Sequence, residues 1–85
     1  MNYILYGTSA CHLCEAAEAI ILPIQQTQGF RLQKVDIAED DTLIAQYGTK
    51  IPVLYCKQTK QTLEWPFDTS QLNHFIEAGN KTSVQ

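Results

Sequence analysis

The sequence predicts an α/β domain: a four-stranded mixed sheet flanked by three helices, in the order strand–helix–strand–helix–strand–strand–helix. Three observations carry this expectation. Short runs rich in β-branched and aromatic residues, at 2–6, 30–37, 53–57 and 62–65, alternate with stretches whose apolar residues recur at helical spacing. The first run stops at Gly7 and passes through a polar turn into Cys11-His12-Leu13-Cys14 and a helical pattern, so a strand hands over to a helix there. The last two runs are separated only by a polar turn around Gln58-Thr59-Lys60 and must form an antiparallel hairpin, whereas the first two are joined through a helix and pair in parallel.

Composition bounds the class. The 85 residues, with 45% hydrophobic content, suit a single folded domain over 1–85 and exclude wholesale disorder. A net charge of −3 and six scattered basic residues argue against a nucleic-acid surface. No apolar run approaches the roughly 20 residues needed to span a bilayer. Met1-Asn2-Tyr3-Ile4 carries no basic n-region, and the apolar stretch is too short for a signal peptide. The expectation is a monomer in a reducing cytoplasm, without membrane or nucleic-acid partners. There, three cysteines read as an active dithiol plus one spare rather than a structural disulfide framework.

The elements follow in order. Residues 2–6 are near-continuously apolar, as in a strand buried on both faces. The first helix begins near Cys11, with Ser9 or Ala10 close to its cap, and presents Leu13, Ala16, Ala17, Ile20, Ile21 and Ile24 on one face. Pro23 would remove one hydrogen bond and crowd the carbonyl of Ala19. The helix either ends near Leu22 or continues kinked to about Thr27, and Ile24 favours continuation because it keeps the apolar face going. Gly29 ends it. The strand at 30–37 loses its alternation between Leu32 and Val35, which marks an edge position or a bulge. Glu39-Asp40-Asp41 opens a short helix over 42–47, closed by Gly48; the acids suit a solvated, dipole-matched first turn better than a metal site. Ile51-Pro52 leads into the third strand, and Pro66 stops the fourth. Asp68 or Thr69 caps a last helix that runs to about Ala78 with Leu72, Phe75 and Ile76 inward. Gly79 ends that helix, and 80–85 read as a frayed tail.

The cysteine pair carries the chemistry. A helix start has unpaired N–H groups and a partial positive charge, both of which favour a thiolate. A cysteine placed there has a pKa of about 3.5–7.5 instead of about 8.5. Cys14, one turn further along the same face, can close a disulfide on a mixed intermediate formed by Cys11. His12 as imidazolium would stabilise the Cys11 thiolate, or is simply exposed in the first turn. Cys56, inside a strand, behaves as a small hydrophobe. His74 reads as a surface or partly packed residue. Trp65 reads either as core or as a wall near the cysteines.

With this element order, Cys11-His12-Leu13-Cys14 after the first strand and Ile51-Pro52 opening the third, the chain resembles the thioredoxin superfamily. The stretches Tyr47-Gly48-Thr49-Lys50-Ile51-Pro52-Val53-Leu54 and Trp65-Pro66-Phe67-Asp68 are similar to those of a family of small bacterial glutaredoxin-like proteins. The resemblance implies a thioredoxin-like fold and thiol–disulfide exchange, with Cys11 as attacking and Cys14 as resolving thiol. It implies that Pro52 is a cis-proline facing the cysteines and that Ile51 offers backbone groups to a substrate chain. Lys50, Trp65 and Asp68 join His12 as expected substrate contacts. The expected partner is a disulfide-bearing protein or a glutathione mixed disulfide, with glutathione as a co-substrate and no tightly bound cofactor or metal.

The chain departs from that pattern in three places. Thr8-Ser9-Ala10 holds no lysine where glutathione-binding glutaredoxins carry one. Trp65-Pro66 stands where they have a glycine pair before the last helix. The first strand lacks the buried aspartate that helps activate the resolving cysteine in thioredoxins. Two other functions stay open at this level: metal or iron–sulfur binding through the CxxC pair, which supplies only one of the two short ligand pairs zinc usually takes, and a non-catalytic adaptor that keeps the fold.

Overall fold

The computed structural model describes residues 2–9 and 11–83. Its elements are β1 (Asn2–Gly7), α1 (His12–Gln28), β2 (Arg31–Asp36), a 3-10 turn (Ile37–Glu39), α2 (Asp41–Tyr47), β3 (Val53–Cys56), β4 (Gln61–Glu64) and α3 (Thr69–Ser83). The sheet order is β2-β1-β3-β4. β1 pairs in parallel with β2 and antiparallel with β3, and β3–β4 is the expected hairpin. The slipped alternation of β2 is explained by its edge position, where only Leu32 and Val35 are half-buried and the rest is exposed.

The sheet faces are unequal. Tyr3 and Leu5 of β1 lie opposite Cys56 and Leu54 of β3, and this face forms the core with Ala17, Ile21 and Ile24 of α1 and Leu72 and Ile76 of α3. Phe30 meets the Tyr3 ring edge-on at 4.8 Å. On the other face Tyr6 stacks on Tyr47 of α2 at 4.6 Å, and β1 there is only half-buried. The first strand is therefore not buried on both sides as its apolar run suggests. α2 is short, has no buried residue and covers little of that face.

Two helix details differ from the sequence reading, and the continuation past Pro23 agrees with it. In α1 the buried stripe is Cys14, Ala17, Ile21 and Ile24, while Leu13 and Ala16 face solvent. The close approach of Cys14 to the end of β1 sets the helix rotation, and that approach outweighs the greater hydrophobicity of leucine. Pro23 is accommodated within α1, which continues to Gln28 and ends at Gly29 in the left-handed conformation, with its N–H donating to the Gln25 carbonyl at 2.8 Å. α3 passes through Gly79 instead of stopping there, so 80–83 are helical; 84–85 lie outside the described residues. The glycine serves packing: a Cβ at position 79 would run into the Tyr3 hydroxyl and lie 3.1 Å from Cys56 Sγ. That closeness lets the Tyr3 hydroxyl donate to the Ile76 carbonyl at 3.2 Å.

Candidate active site

The site grows from the end of β1. Beyond Gly7 the chain turns and enters α1 with Cys11 as the N-cap residue, in extended conformation (φ −103°, ψ 109°). Its Sγ accepts the Cys14 N–H at 3.1 Å, the role that a serine or aspartate oxygen plays in ordinary caps. Cys11 itself is thus the cap, two residues after Ser9; Ala10 lies outside the described residues. Cys11 and Cys14 are paired at disulfide distance, with Cα atoms 5.2 Å apart. Cys11 is half-exposed and Cys14 is 9% exposed. Cys11 is therefore the more accessible sulfur of the pair.

Gly7 makes the burial of Cys14 possible. A Cβ at position 7 would stand 2.6 Å from Cys14 Sγ and 3.3 Å from Cys14 Cβ. The sequence marks Gly7 only as the end of a strand, and its steric role comes from the helix lying directly over it. His12 projects outward with its side chain 98% exposed and Nδ1 3.8 Å from Glu15 Oε2.

The remaining sequence-predicted residues lie on the β3–β4 side. The Ile51–Pro52 peptide is cis, the form the resemblance implies, and Trp65–Pro66 is cis as well. Pro52 is buried and its carbonyl accepts the Trp65 N–H at 3.1 Å, so these two residues are tied together. The Ile51 N–H donates to the Tyr47 carbonyl at 3.2 Å, which leaves that donor engaged within the protein. Lys50 is exposed. Trp65 is half-buried at the core margin, edge-on to Phe67 at 5.0 Å. Asp68 caps α3: its Oδ1 accepts the Gln71 N–H at 2.8 Å while Gln71 Oε1 accepts the Asp68 N–H at 3.0 Å, a reciprocal capping box.

A cleft of about 350 Å³ opens on both cysteines from the opposite side, between α1 and β2. Its wall includes Gly7, Glu15, Glu18, Lys34 and Asp36, and none of Lys50, Ile51, Pro52, Trp65 or Asp68. Lys34 Nζ lies 3.1 Å from Glu18 Oε1 across the gap. Sequence reasoning missed these charges. Glu18 had a signal in its four-residue spacing from Cys14; Lys34 had none, since it arrives through the parallel register that sets it beside Leu5. Among the described residues, no group of three or more His, Cys, Asp or Glu side chains is placed to hold a metal ion.

A β2-β1-β3-β4 sheet with a CxxC pair at the start of the helix after its central strand, and a cis-proline before the third strand, defines a thioredoxin-fold protein of the glutaredoxin-like kind. The chain belongs to the glutaredoxin-like domain (DUF836) family, whose model matches residues 2–77. It is similar to the crystal structure of protein XcR50 from X. campestris, at 32% identity and a TM-score of 0.76, over 89% of this chain and 96% of that one. Protein Ne2328 from Nitrosomonas europaea follows at 25% identity and a TM-score of 0.75, covering 87% and 88%. Thioredoxin 1 from Thermosipho africanus shares the fold at 18% identity and a TM-score of 0.74, covering 100% of both chains. No curated protein matches the chain. The fold and the paired cysteines fit a redox role.

Proposed function

We propose that this protein is a thiol–disulfide oxidoreductase that exchanges its dithiol with protein disulfides in a reducing cytoplasm, acting as a monomer. The observation that carries the reading is the asymmetry of the pair: Cys11 Sγ is half-exposed and accepts a helix-start N–H, while Cys14 is enclosed at pairing distance behind it. In the reduced protein the same N–H faces the Cys11 thiolate, which the helix start stabilises. The Cys11 thiolate attacks one sulfur of the substrate disulfide, and the other sulfur leaves as a thiol. Cys14 then attacks Cys11 Sγ, the internal disulfide closes, and the second substrate thiol departs. Two electrons pass from the dithiol to the substrate.

Ile51, Pro52, Lys50 and Trp65 are proposed to form the substrate-facing edge, with His12 at its rim. Glutathione is proposed as a weakly held co-substrate, because Trp65-Pro66 replaces a glycine pair and the Asp68 carboxylate already accepts from its own helix. Losing a charge-assisted contact of this kind costs about 1.5–3 kcal/mol, roughly a tenfold to hundredfold loss in affinity. The test is insulin reduction driven by dithiothreitol, together with reduction of a glutathionylated peptide by the Cys14→Ser variant. The wild type should accelerate insulin precipitation, Cys11→Ser should abolish it, and iodoacetamide at mildly acidic pH should label Cys11 of the reduced protein before Cys14 or Cys56. A wild type inert toward insulin beside a Cys14→Ser variant that deglutathionylates briskly would overturn the protein-disulfide assignment.

A further inference from the structure

The resolving step requires something the attacking step does not. Cys14 must lose a proton before its sulfur can attack Cys11, yet it is only 9% exposed, so its route to solvent runs through the cleft between α1 and β2. Three carboxylates and one ammonium line that cleft. Asp36, on β2, uses Oδ1 to accept the Ala38 N–H at 2.9 Å and thereby caps the 3-10 turn. Glu15, on α1, is 76% exposed and stands beside the outward-facing His12. Glu18 differs from both. It lies four residues after Cys14 on α1, a spacing that stacks the two side chains on one helix face. Its side chain is only 30% exposed, and Lys34 of β2 holds it at 3.1 Å.

The geometry points to Glu18, oriented by Lys34, as the group that accepts the Cys14 proton during resolution, across the water-accessible space of the cleft. This rests on the dithiol reading above and adds a residue to it. The thiol proton of Cys14 passes to the Glu18 carboxylate, and the freed sulfur pair forms the Cys11–Cys14 bond. The bond between Cys11 and the substrate breaks, with its electron pair leaving on the substrate thiolate. That thiolate, or solvent, then takes the proton from the Glu18 carboxylic acid. Lys34 is a positioning residue: its ammonium, 3.1 Å from Oε1, holds the Glu18 carboxylate in place across the cleft. The pair also gives this fold an acid beside the resolving cysteine although β1 carries none.

An aromatic disulfide with two coloured leaving thiols, such as dithiobis-nitrobenzoate, separates the two steps in stopped flow. Mixed with limiting amounts of the reduced protein, it releases one thiolate on attack by Cys11 and a second on resolution by Cys14. Glu18→Gln should slow the second release by on the order of 100-fold, the scale of a lost general base. The first release, followed alone in the Cys14→Ser background, should keep its rate with or without Glu18→Gln. The second release should also become more steeply pH-dependent in Glu18→Gln than in the wild type, a change that a merely structural defect would not produce. Glu18→Asp should restore part of the rate, and Lys34→Met, which leaves the carboxylate in place, should slow the second release by less than Glu18→Gln. Equal slowing of both releases, or a second release unchanged in rate and pH dependence, would overturn the assignment alone. A wild type that gives no first release would overturn the dithiol reading, and this inference with it.

Discussion

Replacing Gly7 with alanine is the most direct test of how the fold holds its cysteines. The new Cβ would stand 2.6 Å from Cys14 Sγ and 3.3 Å from Cys14 Cβ, against the roughly 3.5–4.0 Å at which non-bonded heavy atoms rest. Gly7 has no positive φ, so alanine meets no backbone strain there. Through the unfolded state alone the change would stabilise by about 0.4–1 kcal/mol. Any net loss must therefore come from the collision. Moving Cys14 Cβ away from the new methyl would tilt α1, whose Ala17 and Ile21 are buried in the core. Overpacking of this kind costs about 1–3 kcal/mol, which for a domain of this size lowers Tm by roughly 4–20 °C. The assay is thermal unfolding in reductant, where the disulfide does not contribute, as a double-mutant cycle with Cys14→Ala. Removing the sulfur should take away at least half of the Gly7→Ala penalty. An equal penalty with and without Cys14 Sγ, or a single variant within about 1 °C of wild type, would refute the reasoning.

Three other outcomes are expected. Gly79→Ala should destabilise by about 1–3 kcal/mol in urea titrations despite the better helix propensity of alanine, and a Tyr3→Phe background should recover part of that loss, because the hydroxyl is what the new methyl meets. Asp68→Ala should cost about 1 kcal/mol by removing the α3 cap, while Asp68→Asn should keep most of it; circular-dichroism melts read both. Burial, with Cys56 adding to it, pushes the Tyr3 phenol well above its ordinary range. The unfolded chain then loses this proton at lower pH than the folded one, so the stabilising contribution is complete below about pH 10 and erodes as the pH climbs beyond it. Urea midpoints taken from about pH 8 to about pH 11 should fall less steeply in Tyr3→Phe, without becoming flat, since Tyr6 and Tyr47 are shifted in the same direction.

The element order was legible because each boundary is a local event. Apolar periodicity changes where a glycine, a proline or an acidic cap stands, as at Gly29, Pro66 and Asp68. The edge position of β2 was legible for the same reason: a strand that need bury little loses its alternation. Glycine itself was ambiguous. It grants a left-handed turn, as at Gly29, or it grants closeness by lacking a Cβ, as at Gly7 and Gly79, and a lone sequence does not separate the two. Gly79 therefore read as a stop when it is a contact within a continuing helix. The face of α1 was misread for a related reason. Hydrophobicity ranks Leu13 above Cys14, but the handover from β1 dictates which residue points down.

The same division runs through the site. Cys11, Cys14 and His12 are neighbours in sequence, so their relation to the helix start follows from spacing alone. The cleft wall is different in kind, because one side comes from α1 and the other from β2. Glu18 lies on α1 and Lys34 on β2, and no local pattern in the sequence links them. They meet because β1 and β2 pair with Leu5 beside Lys34, and parallel register has no turn residue to announce it. The Ile51 backbone shows the reverse case. The motif marks the loop before β3, yet whether the Ile51 N–H is free depends on the end of α2, where the Tyr47 carbonyl takes it. On the proposed reading, a substrate chain docking at this edge must displace that bond or pair with the carbonyl of Ile51 instead.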